Sequence, residues 1–438
     1  MIKILANRKL FRVRLFLEGL RIGICTGVIV ATLRLLLDAA DVYRPLWFQN
    51  FSAEKFFLTL IILVATAKFL AWAINSDEQV AGSGIPQIKA MLQGAAKMYK
   101  PLRLILLKFT SIILAIGAGM SLGRAGISVQ FGACVGNFFN RKSDILLTAG
   151  AAAGLAAIFN APLAGVIFCI EELRKKFTQE ILIATLTAAV SASAVSDLVF
   201  GVRPIFETIT AQPLAAPEIL KISSLELFAE QSAAPLKIFF CFVALGIFLG
   251  ILGALFTKTM LTSLNLYEKC PVSGFKKFLV PLILIVPIGL NLPQILGCGN
   301  VLVDDLLNRE FNFEMILLLF FGKWLFTLIC FGTNAPGGVF LPVLTLGALG
   351  GSIFAEVGAS LGIFSAYWTT LLIVFGMAAF FAAVIKAPVT GCLLIMETTG
   401  EISYLLTLTI VSGAAFMAAD ICGGEAIFSA LLNRKTRE

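Results

Sequence analysis

The chain has 438 residues, 59% of them hydrophobic and only 14% charged, with no histidine and a net charge of +8. Soluble globular chains average about 45–50% apolar and about 25% charged residues, so this composition excludes a soluble enzyme, a disordered tail protein and a disulfide-stapled secreted domain. The surplus apolar surface needs lipid to cover it. Lipid admits only helices or closed barrels, and the apolar runs here are far longer than barrel strands, which predicts an all-α polytopic membrane protein.

In chain order, residues 1–14 carry Lys3, Arg8, Lys9, Arg12 and Arg14 and no acid. The last residues, 422–438, carry Arg434, Lys435 and Arg437. Basic flanks of membrane segments lie on the cytoplasmic side, so both ends read as cytoplasmic, and the positive charge is a topology signal rather than a nucleic-acid surface. Glu18 and Arg21 interrupt the first apolar run, so no cleavable signal peptide is expected. Apolar stretches recur at roughly 15–40, 56–75, 103–122, 145–170 and 181–200, within a first membrane repeat, 15–201. They recur at roughly 236–265, 277–296, 314–331, 338–357, 366–398 and 403–421, within a second, 237–421. Several are short, Gly- and Pro-rich or interrupted by a charge. That texture suits helices broken inside the bilayer, where transporters place their substrate sites. Between the repeats, the polar stretch 202–236 holds Pro204, Pro213, Pro217 and four glutamates; it reads as an extracellular linker.

The halves are related. The segment from Gly150 lies on the segment from Gly376 at an offset of 226, with Ala161-Pro162 on Ala387-Pro388, Gly165 on Gly391 and Glu171 on Glu397. More loosely, Gly123 to Gly136 lies on Gly338 to Gly351. With both termini inside and the linker outside, each half crosses an odd number of times and the repeats are inverted.

The nine cysteines include no C-x-x-C pair, which argues against a zinc site or a disulfide framework. Without histidine, proton handling near neutral pH falls to carboxylates. A membrane enzyme would need a metal or paired-acid signature; there is no H-E-x-x-H and there are no paired aspartates in a membrane helix. No cofactor is expected. Three glycine-rich segments remain: Gly82-Ser83-Gly84-Ile85-Pro86, Gly123-Arg124-Ala125-Gly126-Ile127 and Gly337-Gly338-Val339-Phe340-Leu341-Pro342. Each opens a helix on this reading. The first turn of a helix leaves four N–H groups unpaired and carries about half a positive charge, and glycines let an anion approach closely. Such an end holds an anion without a fixed full charge, so the ion can leave again.

In order and spacing, GSGIP, GRAGI and GGVFLP resemble the three signature segments of the CLC family of chloride channels and proton/chloride antiporters, over essentially the whole chain from about Leu15. The resemblance implies a homodimer of inverted-repeat bundles of tilted and broken helices, each subunit with its own chloride pathway, in the inner membrane of a prokaryote-type member without cytoplasmic CBS domains. It implies that the Ser83 hydroxyl, beside Gly84, and the Val339 and Phe340 amides hold a central chloride. The amides around Arg124, Ala125 and Gly126 would form an outer anion site. Serine at position 83 is similar to chloride-preferring members, whereas nitrate-preferring plant members carry proline. Glu172, the second of the pair Glu171-Glu172, matches the family's inner proton relay, although basic neighbours at 174–176 leave a solvated helix end open for it. Lys108 either supports the site from behind or snorkels to the interface.

Two positions depart from the family. The second motif normally carries a gating glutamate, the outer proton carrier, where this chain has Ala125, with Ile127 in place of proline. The family's C-terminal tyrosine is Phe428 here. Alanine neither titrates nor competes with chloride. The expected function is therefore chloride transport that is passive or weakly proton-coupled; the alternative is a proton/chloride antiporter carrying an engineered Glu-to-Ala change at position 125.

Overall fold

The computed structural model describes residues 2–49, 51–98, 100–141, 143–202, 204–206, 234–270, 274–308, 310–363 and 368–435. Most of the expected linker, 207–233, lies outside the described residues. The first half runs α1 (Ile2–Gln49), α2 (Ala53–Ser76), α3 (Ile85–Leu92), α4 (Pro101–Ala118), α5 (Ala125–Phe139), α6 (Asp144–Phe159), α7 (Pro162–Phe168) and α8 (Gln179–Phe200). The second runs α9 (Ala234–Lys269), α10 (Lys276–Asn291), α11 (Asn300–Leu307), α12 (Phe313–Gly332), α13 (Phe340–Ser360), α14 (Trp368–Ile385), α15 (Pro388–Thr399) and α16 (Leu405–Ile421), followed by α17 (Ile427–Lys435). Among the described residues there is no extended strand, and nine helices are long and apolar enough to cross a membrane.

The repeat is exact to the residue at several boundaries. A shift of 215 carries Ile85–Leu92 onto Asn300–Leu307, and a shift of 226 carries the starts of α7 and α8 onto those of α15 and α16. Two apolar stretches that read as continuous, 145–170 and 366–398, are each broken. Asn160 and Lys386, repeat mates, take left-handed φ values of 50° and 62° at those breaks. Ala161-Pro162 and Ala387-Pro388 then restart a helix, with proline in the first turn where no N–H is needed. The segment Ala125–Phe139, absent from the apolar stretches of the sequence reading, is a buried helix.

Two exchanges tie the halves about a pseudo-two-fold axis. Gly123 N–H donates to Gly338 O (2.5 Å) and Gly338 N–H to Gly123 O (2.7 Å), an antiparallel bridge that sets α5 and α13 end to end. The Glu397 carboxylate accepts from Leu163 and Ala164 N–H at the start of α7. Reciprocally, the Glu171 carboxylate accepts from Val389 and Thr390 N–H at the start of α15. Each acid thus caps the other repeat's helix, where backbone donors are otherwise unpaired.

At the centre, α5 packs on α6 and α13 on α14, and these helices are almost wholly buried. Their crossings need small residues. A Cβ on Gly132 would strike the Gly150 carbonyl, and one on Gly347 would run into that of Gly376, so the backbones touch as small residues allow in membrane bundles. The outer helices instead present large apolar side chains, such as Phe57 and Ile61 on α2 and Leu406 and Ile421 on α16. The fold is therefore an inverted-repeat bundle with the glycine-rich starts of α5 and α13 at its centre.

Candidate anion site

Ser83 sits in a turn that only glycines can flank. Gly82 and Gly84 have φ of +63° and +90°, and a Cβ on Gly84 would lie 2.7 Å from the Gln130 Cβ. The turn is clamped from behind by Lys108. This lysine is fully buried and donates to the Gln130 side chain (2.5 Å) and the Gln79 carbonyl (3.3 Å), so it supports the site and does not snorkel. The Ser83 hydroxyl is buried and has no hydrogen-bond partner among the described residues.

Around Ser83 the two central helix starts converge. A Cβ on Gly126 would lie 2.9 Å from the Ser83 carbonyl, and one on Gly338 would lie 3.6 Å from the Ser83 Cβ. The opening turns of α5, at Ala125 and Gly126, and of α13, at Val339 and Phe340, thus both lie beside this serine. Their free N–H groups and helix dipoles provide a positive potential without a full charge.

Phe340 is packed among rings. Its centroid lies 4.6 Å from Phe381, 5.4 Å from Phe159 and 5.8 Å from Phe168, and Phe168 in turn meets Phe428 edge-on at 6.5 Å. Phe428 therefore reaches the site through a phenylalanine cluster and brings no hydroxyl. The partners of Phe340 and Phe428 in that cluster, Phe159, Phe168 and Phe381, lie in the aligned repeat segments, but their convergence on Phe340 was not legible in the sequence.

Ala125 is fully buried at the first position of α5. The side chain of its neighbour Arg124 is also buried and donates through Nη1 to Asp38 Oδ1 of α1 at 2.5 Å. Asp38 also pairs with Arg34 at 3.5 Å. Glu172 lies apart from this cluster, in a π turn at Cys169–Arg174. It is 2% exposed and accepts from Lys89 Nζ of α3 at 2.7 Å, so it is no solvated helix end. Lys89 Nζ also donates to the Ser429 hydroxyl of α17 at 2.8 Å.

The second repeat holds a turn that motif reading passed over. Gly297-Cys298-Gly299 stands 215 residues after Gly82-Ser83-Gly84, with φ of +71° and +99° at its glycines. Lys323, at the same offset from Lys108, is fully buried and donates to the Ile295 and Gly297 carbonyls, both at 2.9 Å. The offset of 215 was the signal that would have found both.

A profile of the family described as voltage-gated chloride channel matches residues 58–420. The chain belongs to this family. CLC relatives include the H(+)/Cl(-) exchange transporter ClcA of Vibrio vulnificus strain YJ016, 32% identical over 96% of this chain and 89% of that one. The ClcA of Vibrio cholerae El Tor Inaba N16961 is 34% identical over 90% and 81%. Among solved CLC structures, a slow cyanobacterial Cl−/H+ antiporter superposes with a TM-score of 0.85 at 26% identity, covering 97% of this chain and 98% of its own. A CLC-type fluoride/proton antiporter shares the fold at a TM-score of 0.73 and 21% identity. This CLC chain is accordingly a multi-pass membrane protein of an anion-transporting family.

Proposed function

We propose that the protein carries chloride across the cell membrane passively or with weak proton coupling. The observation that carries this reading is Ala125. It occupies the first turn of α5, fully buried, where the family resemblance places the gating and proton-carrying glutamate. A methyl group neither competes with an anion for the helix end nor takes up a proton, and the nearby acid, Asp38, is engaged by Arg124. The central chloride is held by the Ser83 hydroxyl and the Val339 and Phe340 amides, and the outer one by the amides of Arg124, Ala125 and Gly126. The protein works as a homodimer in the inner membrane, with both termini cytoplasmic, and needs no cofactor.

A second reading, coupled exchange, is favoured by Glu172, a buried carboxylate at the family's inner relay position, and by the exchanger names of the relatives. One experiment separates them. Purified protein in liposomes is given an outward chloride gradient while chloride and pH are recorded together. The expected result is chloride efflux, with valinomycin and potassium, and no uphill proton movement. Proton pumping at a fixed ratio to chloride would overturn the passive reading and require an outer acceptor other than residue 125.

A further inference from the structure

Ser83 faces a cavity of about 70 Å³ that is also lined by Asn334 just after α12, Glu268 near the end of α9 and Arg434 on α17. Glu268 and Arg434 meet side-on. Arg434 Nε donates to Glu268 Oε1 at 3.2 Å, and Nη2 pairs with Oε2. The Arg434 side chain is 17% exposed and that of Glu268 56% exposed, so the guanidinium lies deeper and the carboxylate nearer the solvent. An anion moving between this mouth and the unpartnered Ser83 hydroxyl therefore passes a cation already occupied by a carboxylate.

We propose that Arg434 is an anion-recruiting residue of this mouth and that Glu268 is its built-in competitor. A guanidinium binds carboxylate and other anions through the same in-plane N–H groups, so chloride and Glu268 share one partner. When an anion arrives, Arg434 hands over part of its hydrogen bonding, and the half-exposed carboxylate turns to water. The pair sets how readily anions load the pathway from the α17 side. The motif residues fix the central site, and this pair fixes the local anion concentration in front of it. This deepens the chloride-transport reading and rests on it.

The test is a double-mutant cycle read as chloride efflux from liposomes across a range of chloride concentrations. Glu268→Gln keeps the shape and removes the competing charge. It is expected to lower the half-saturating chloride concentration by about three- to tenfold, the effect of one unit charge a few ångströms away in partly screened surroundings, with the maximal rate unchanged. Arg434→Gln is expected to raise that concentration, and the double variant to match Arg434→Gln. A Glu268→Gln protein with wild-type chloride dependence would overturn the proposal. So would equal, additive effects of Glu268→Gln with and without Arg434, which would mark a general surface-charge effect. If the ion pair only fastens α17 to α9, both variants lower the melting temperature and leave the half-saturating concentration in place, which also overturns it. Absence of flux in the unaltered protein would instead sink the transport reading itself.

Discussion

Two turns of this molecule have one geometry and different chemistry. Gly82-Ser83-Gly84 opens α3 and Gly297-Cys298-Gly299 opens α11. Both have left-handed glycines, and each has a buried lysine from the following long helix behind it. Their surroundings differ. At the first, the Ser83 hydroxyl is left without a partner among the described residues, beside a cavity shared with Arg434 and Glu268. The second borders a cavity of about 190 Å³ shared with Asp41, Arg44 and Asp305. There Arg44 is spent on Asp41 (2.8 Å) and the Ile116 carbonyl (2.8 Å). Duplication thus supplies two equivalent backbones, and side-chain chemistry separates them: a strong hydroxyl donor in one repeat, a weak thiol donor in the other, which is why the proposed anion site is assigned to the first.

The comparison breaks most severely if the shared backbone is removed. Gly84→Ala and Gly299→Ala each force a side chain into left-handed φ and against Gln130 or Thr345. Strain of about 1–3 kcal/mol and overpacking of a similar size add, and both variants are expected to lose folded protein, measured as melting temperature and size-exclusion recovery in detergent. Gly94→Ala, with φ of +75° and nothing among the described residues within 4 Å, is the control and carries the strain alone. Equal losses in all three would remove the packing argument.

Next is the helix end that both repeats build but only the first leaves with alanine. Ala125→Glu restores a competing carboxylate at α5 and is expected to slow passive chloride flux by about tenfold or more, the scale of one charge-assisted interaction. If Glu172 serves as inner relay, coupled proton movement appears as well. Unchanged flux would show that residue 125 does not border the path.

A finer test compares the two donors. Ser83→Ala is expected to weaken halide binding by about 1–3 kcal/mol, the cost of a hydrogen bond to a charged group, while Cys298→Ala leaves it nearly unchanged; calorimetric titration with bromide distinguishes them. Equal losses would make the second turn an anion site too. Ser83→Pro is expected to shift preference from chloride toward nitrate.

The smallest effect concerns pH at the second cavity. Asp305, on the short helix α11 outside the spanning segments, is pushed up to about 6 by burial and by the nearby Glu310. Above that pH it is ionised and, with Asp41, adds negative charge opposite Arg44. Below it, that charge is lost. Chloride flux is expected to rise by a few-fold as the pH on the α11 side falls through about 6 and to lose this step in Asp305→Asn. The sign follows from a raised carboxyl pKa: protonation begins near pH 6 instead of near 4, and the protonated form is the one less repulsive to anions.

The neighbours Glu171 and Glu172 show how far the sequence reached. Composition alone required lipid, since so much apolar surface has no other partner. The Ala-Pro-x-x-Gly…Glu repeat located Glu171 and Glu397 as mates because a duplicated local pattern survives in the order of residues. The glycine motifs located the helix starts because few residues tolerate such turns. The fates of the two adjacent acids were not legible. Glu171 caps a helix 218 residues away, and Glu172 meets Lys89 from 83 residues earlier. The same holds for Asp38 on Arg124, for the rings around Phe340 and for Glu268 on Arg434. The sequence by itself determined the membrane setting, the repeat and the glycine-flanked turns at the helix starts, because these depend on hydropathy, spacing and local φ. Only the tertiary structure decided which charges are neutralised and which donors stay unpaired, because pairing in a low-dielectric interior depends on where distant helices cross.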